Sequence, residues 1–126
     1  VQAQRLKVAR TFAAQYRCYL VLKGARTVIA APDGQAWINP TGNPGMASGG
    51  MGDVLTGIVG GLLAQGYPPQ EACALGVFLH GYAGDLAAQE KGEVGILARD
   101  VIERLPGGLR DLREAALKED EADDNG

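Results

Sequence analysis

NPTGNPGMASGGMGDVLTGIVGGLL, residues 39–63, holds eight of the chain's nineteen glycines. It changes character at Asp53, where turn-forming residues give way to apolar residues at helical spacing: Leu55, Ile58, Val59, Leu62 and Leu63. A glycine-rich loop feeding a helix start turns successive backbone N–H groups toward one point. The first helical turn adds unpaired N–H groups and the positive end of the helix dipole. The segment therefore predicts an anion site made by Gly49, Gly50, Met51 and Gly52, suited to a phosphate group. It is not a GxxxxGK[ST] phosphate loop. Nor is it a GxGxxG fingerprint, because Leu55 stands where the third glycine would fall after Gly50 and Gly52. Asp53 can cap the helix, and beside an anion site its carboxylate can also take a proton from an attacking hydroxyl.

To the amino-terminal side, residues 1–17 read as an amphipathic helix with Val8, Ala9, Phe12, Ala13 and Tyr16 facing inward. Residues 18–22 form an apolar run without alternation, which predicts a strand covered on both faces, as in a parallel sheet flanked by helices. Residues 27–31 and 36–39, separated by the turn signal Pro32-Asp33-Gly34, predict an antiparallel hairpin. Within the helix after the glycine loop, Gly57, Gly60, Gly61 and Ala64 form a second face of small residues. Glycine in a helix costs roughly 1 kcal/mol against alanine, so this face predicts close approach of another backbone. Gly66 to Pro69 break the chain before a helix over 70–89. Shorter helices are expected over 98–105 and 109–118, separated by Pro106-Gly107-Gly108. No internal repeat or interdomain linker divides residues 1–117, so one α/β domain is expected there.

Residues 118–126 carry five of the fifteen acids and one base, leaving eleven basic and ten acidic residues in the remainder. The end reads as a disordered acidic tail, and the near-neutral body argues against a nucleic-acid surface. Cys18 and Cys73 lie in apolar runs without metal-ligand spacing, so no metal site is expected and buried free thiols are. With no export signal and no long apolar span, a cytoplasmic setting is expected.

KGART, residues 23–27, follows the run over 18–22 at its carboxyl end, the edge at which open α/β sheets bind ligands. Lys23 can reach a nucleotide phosphate and Thr27 can donate its hydroxyl; an ordinary exposed turn explains the same residues equally well. His80, the sole histidine, falls on the inner face of its helix and reads as a core residue. The small residues of HGYAGD, residues 80–85, predict close helix packing beside it. Trp37 reads as sheet-edge packing.

Taken together, KGART, the block from Asn39 onward and HGYAGD resemble the ADP-dependent NAD(P)H-hydrate dehydratases of the ribokinase-like superfamily, over almost the whole chain to about Leu112. The resemblance implies a three-layer αβα sandwich, of which this chain is an incomplete, carboxyl-terminal part. The implied activity removes water from hydrated NADH or NADPH, driven by conversion of ADP to AMP and phosphate, with Mg2+ accompanying the phosphates. By the same resemblance Asp53 is catalytic and contacts the hydrate together with Asn43, and Lys23, Gly24, Ala25, Arg26, Thr27 and Gly52 bind the adenine nucleotide, ADP or ATP. A homo-oligomer is implied, and some relatives carry an epimerase domain on the same chain. Family members begin well before the position of Val1, in strands that supply part of the hydrate pocket, so weak or no turnover is expected of this chain alone. Two rivals share the glycine logic: a ribokinase-like small-molecule kinase of the hydroxymethylpyrimidine or hydroxyethylthiazole type, and a non-catalytic nucleotide-binding module.

Overall fold

The computed structural model describes residues 2–24 and 26–125. Helix α1 (Gln2–Tyr16) is followed by strands β1 (Leu20–Leu22), β2 (Val28–Ala30) and β3 (Ala36–Ile38). Helices α2 (Met51–Ala64), α3 (Pro69–Lys91) and α4 (Ala98–Asn125) complete the chain.

Helix α1 stops in a way its sequence does not advertise. Arg17 adopts φ 53°, in the left-handed region, and the Cys18 N–H donates to the Ala13 carbonyl at 3.1 Å, closing a Schellman-type end. Glycine is the usual residue at this position, and a side chain there costs roughly 1–2 kcal/mol. Arg17→Gly is therefore expected to stabilise the chain by about 1 kcal/mol, read as a higher unfolding midpoint in urea. An unchanged or lower midpoint would show that the arginine side chain compensates for its backbone.

The strands make one sheet in the order β1-β2-β3, antiparallel throughout, with Ile29 opposite both Val21 and Trp37. The β2–β3 hairpin agrees with the sequence expectation. The pairing of β1 does not: it is antiparallel and its three residues are only half-buried. A three-residue apolar run satisfies either pairing, and β2, buried along its whole length, takes the central place instead.

Alternation along the strands separates two cores. Leu20, Leu22, Val28, Ala30 and Ala36 face Ala9 and Ala13 of α1. Tyr19, Val21, Ile29 and Trp37 face Leu55 and Val59 of α2 and Cys73 and Val77 of α3. The sheet thus lies between α1 and the α2–α3 pair, which is the αβα layering. The inward face of α1 is narrower than its periodicity suggests: alanines approach the sheet, while Val8, Phe12 and Tyr16 stay substantially exposed. Close contact with a twisted sheet selects the small side chains.

A third cluster, Met51, Ala83, Ala87, Ile96 and Val101, joins the start of α2 to α3 and α4. Helix α4 runs unbroken through Pro106, where the sequence predicted a break, and continues along the acid-rich end to Asn125. Contacts with α3 hold it together: a Cβ on Gly108 would meet Leu79 at 3.1 Å, and the Tyr82 hydroxyl donates to Asp111 Oδ2 at 2.9 Å. At its start, buried Asp100 accepts from the Leu97 N–H and from Lys91 Nζ, at 2.8 and 2.6 Å. The packing of α3 on α4 therefore overrides the local cost of the proline.

Glycine placement divides sharply. Gly76 and Gly81 of α3 sit where a Cβ would meet Val59 Cγ2 at 2.8 Å and Thr41 Oγ1 at 2.1 Å, so they allow close approach. Gly57, Gly60 and Gly61 of α2 have nothing within 4 Å of an added Cβ among the described residues. The backbone contact expected for the small face of α2 is thus absent here, and the close packing falls on α3. Among the described residues, no helix is long and apolar enough to cross a membrane.

Candidate nucleotide-phosphate site

The loop leading to α2 is tied to α3 at two levels. Asn39, 7% exposed, extends the hairpin through its N–H to the Thr27 carbonyl at 2.8 Å, and its Nδ2 donates to Thr41 Oγ1 at 2.9 Å. The Thr41 hydroxyl donates in turn to the Phe78 carbonyl at 3.0 Å, which seats the loop against the glycine backbone at position 81. Farther along α3, the Asp85 carboxylate accepts from the Gly42 N–H at 3.1 Å and from Asn43 Nδ2 at 2.9 Å. Asn43 Oδ1 accepts from the Gly45 N–H at 3.0 Å and caps a 3-10 turn over Pro44–Met46. Asn43 therefore spends one hydrogen bond from each end of its amide on holding the loop.

Gly50, at φ 87°, is the N-cap of α2, and no side chain caps the helix. Only a residue tolerant of the left-handed region can make this entry into the helix. Asp53 lies in the first turn rather than at the cap, and its side chain is exposed with no hydrogen-bond partner among the described residues. The Gly52 and Asp53 N–H groups precede the first intrahelical bond, which runs from the Val54 N–H to the Gly50 carbonyl at 3.1 Å. They point outward as donors at the positive end of the helix.

Lys23 comes to this end from the sheet. Its Nζ lies 2.7 Å from where a Cβ on Gly52 would stand, so the ammonium rests against the first turn of α2. Among the described residues no carboxylate lies within ion-pair distance of it. A cation and a helix N-terminus, both positive, meet without a paired acid, an arrangement that an anion relieves.

A cleft of about 670 Å3 opens beside this point, lined by Lys23, Gly24 and Thr27 from the sheet end, by Asn39–Ser48 in part, and by Met51, Leu55, Val77 and His80. That volume accommodates a small-molecule ligand. Of the residues singled out from sequence, Lys23, Gly24, Thr27, Asn43 and Met51 line the cleft. Gly52 touches Lys23 at its margin. Gly49, Gly50, Arg26 and Asp53 are exposed and not on its wall, and Ala25 lies outside the described residues.

Sequence reasoning missed His80 as a cleft residue. It is 8% exposed, and its Nε2 has no hydrogen-bond partner among the described residues. Burial, then the Lys23 charge, hold the imidazole below its ordinary pKa range, against a smaller upward pull from the Met51 main chain. Because the folded-state value is depressed, stability is unaffected above the unfolded pKa. It falls as pH drops below about 6.5 and only the unfolded chain takes up the proton. The expected slope is at most about 1.4 kcal/mol per pH unit from this group, and His80→Gln should remove it from urea midpoints measured between about pH 7.5 and pH 5.5. Identical pH profiles for both proteins would contradict this.

Fold and site together define an α/β domain in which a glycine loop, an uncapped helix start and a lysine without a paired acid meet beside one cleft. The comparisons make the class specific: residues 1–107 match the family model described as NAD(P)H-hydrate dehydratase. The chain belongs to that family. The bifunctional NAD(P)H-hydrate repair enzyme Nnr of Moorella thermoacetica is 55% identical over 114 residues, covering 90% of this chain and 22% of that enzyme. A crystal structure of the Bacillus subtilis ADP/ATP-dependent NAD(P)H-hydrate dehydratase, co-crystallised with ATP and Mg2+, superposes with TM-score 0.83 at 41% identity, over 87% of this chain and 40% of that one. A ribokinase-like superfamily protein of Enterococcus faecalis gives TM-score 0.72 at 37% identity, over 81% of this chain and 35% of that one. The fold is thus ribokinase-like, and the chain spans well under half the length of these relatives.

Proposed function

We propose that this segment supplies the nucleotide half of the active site of an ADP-dependent NAD(P)H-hydrate dehydratase. The observation that carries the reading is Lys23 Nζ standing against Gly52 at the uncapped start of α2, beside a cleft of nucleotide-accommodating size. In this reading Lys23, Gly24, Arg26, Thr27 and Gly52 bind the adenine nucleotide, and the N–H groups of Gly49, Gly50 and Gly52 hold the phosphoryl group in transfer, while the Met51 N–H is turned to the Ser48 carbonyl at 3.4 Å. Donors fixed in advance at the place where charge develops are the main resource for this chemistry. Asp53 takes the proton of the hydrate's hydroxyl, and that oxygen attacks the terminal phosphorus of ADP, releasing AMP. Elimination of the phosphate with a neighbouring proton then restores the reduced nicotinamide. In the same reading Asn43, on the cleft wall, contacts the hydrate together with Asp53.

In this reading Mg2+ arrives on the nucleotide, carried by phosphate oxygens and water, its usual mode with nucleotides. The relative named bifunctional supports a partner activity on the same polypeptide, for which an epimerase domain is our reading. A cytoplasmic metabolite-repair enzyme is the setting it implies.

The test is to supply ADP and hydrated NADH or NADPH to a protein that carries the whole family domain and follow nicotinamide absorbance and free phosphate together. Equal recovery of reduced nicotinamide and phosphate supports the dehydratase. A stable phosphorylated product without phosphate release would instead support a small-molecule kinase of the same fold.

A further inference from the structure

Arg5 lies on α1, the layer opposite the cleft, yet its guanidinium is spent on the turn that carries Lys23. Nη1 donates to the Arg26 carbonyl at 2.9 Å and to Gln2 Oε1 at 2.8 Å. Nη2 donates to the carbonyls of Leu22 and Lys23, both at 3.2 Å. Three main-chain carbonyls from both arms of the β1–β2 turn thus converge on one planar fork. Gly24 completes the fit, because a Cβ there would fall 2.4 Å from Nη2. A side chain at residue 24 would push the guanidinium out of this seat.

We propose that Arg5 is a positioning residue for the anion site: by fixing the main chain at Lys23 it sets the ammonium against the first turn of α2. The geometry favours this over a mere staple of α1 to the sheet. Ala9 and Ala13 already join those layers through a buried apolar cluster, whereas among the described residues Arg5 bonds to Gln2 and to the main chain of Leu22, Lys23 and Arg26, the turn that carries Lys23. Lysine cannot replace it, since one ammonium cannot present the spaced, coplanar donors of a guanidinium. The role in nucleotide affinity rests on the proposed function; the placement of Lys23 does not.

The experiment therefore has two readouts on the 126-residue chain. In the unsubstituted protein the Lys23 ε-protons should show a nuclear Overhauser contact to the Gly52 α-protons, and Arg5→Lys should abolish it. Arg5→Lys should also weaken ADP binding by about tenfold, but by less than twofold when Lys23 is already alanine, because the two changes act through one group. Should Arg5→Lys not fold, Gly24→Ala displaces the guanidinium from the other side and carries the same expectation for the Lys23–Gly52 contact. A persistent contact, or an equal loss of ADP affinity in both backgrounds, would overturn the proposal. If the unsubstituted chain shows the contact but binds no ADP, the functional reading fails and the loss of the contact alone decides the role of Arg5.

Discussion

In a protein that carries the whole family domain, Asp53→Asn is expected to lower ADP-driven turnover of NAD(P)H hydrate by about 10²–10⁴-fold, the usual worth of a positioned general base, while ADP affinity changes little. The substitution keeps size, replaces one acceptor oxygen by an NH2 donor, and removes the negative charge together with the ability to accept the hydroxyl proton. The carboxylate is free to act as a base, because it stands in the first turn of α2, exposed, without a partner among the described residues, and the cap position is taken by Gly50. Placement on a helix turn next to unpaired N–H groups sets the carboxylate beside the proposed phosphoryl site. Steady-state kinetics and a separate ADP titration distinguish the outcomes. Unchanged turnover would remove Asp53 from the chemistry, and a parallel loss of ADP affinity would make it a binding residue.

The second large effect lies on α3. An alanine at position 81 would place its Cβ 2.1 Å from Thr41 Oγ1 and 2.7 Å from the Thr41 carbonyl carbon. Main chain cannot yield as a flexible side chain does, so the loop must move away from the helix. Overpacking of this kind costs about 1–3 kcal/mol, and more where backbone is forced to shift. Thr41 would also lose its bond to the Phe78 carbonyl, and the neighbouring Gly42 and Asn43 their bonds to Asp85. Gly81→Ala is thus expected to lower both stability and nucleotide affinity. Gly57→Ala, with nothing within 4 Å, should be neutral or stabilise by up to about 1 kcal/mol through helix propensity. Urea midpoints and ADP titrations of the two variants compare them directly; similar effects from both would show that close approach at position 81 is not what selects glycine.

The parts of this architecture that a linear reading recovers are those written in local chemistry. The β2–β3 hairpin follows from a Pro-Asp-Gly turn between β-forming runs, and the start of α2 follows from glycines passing into helical spacing. Lys23 does meet Gly52, as expected of a residue at the end of β1, although the sheet around β1 is antiparallel rather than the parallel one that expectation assumed. What the sequence conceals is settled between distant segments. The antiparallel pairing of β1, the burial of His80 in the cleft wall and the passage of α4 through Pro106 each depend on the element packed opposite. Asp85 shows the limit most clearly: it holds the loop at Gly42 and Asn43 across more than 40 residues, and nothing near it in sequence announces that role.

In the proposed function an adenine nucleotide places its phosphates between Lys23 and the first turn of α2. Amide chemical shifts of the isotopically labelled chain during titration with ADP test this residue by residue. The largest, saturable shifts are expected at residues 49–53 and 23–27, with both sets diminished in Lys23→Ala. Shifts confined to other surfaces, or none at millimolar ADP, would contradict it.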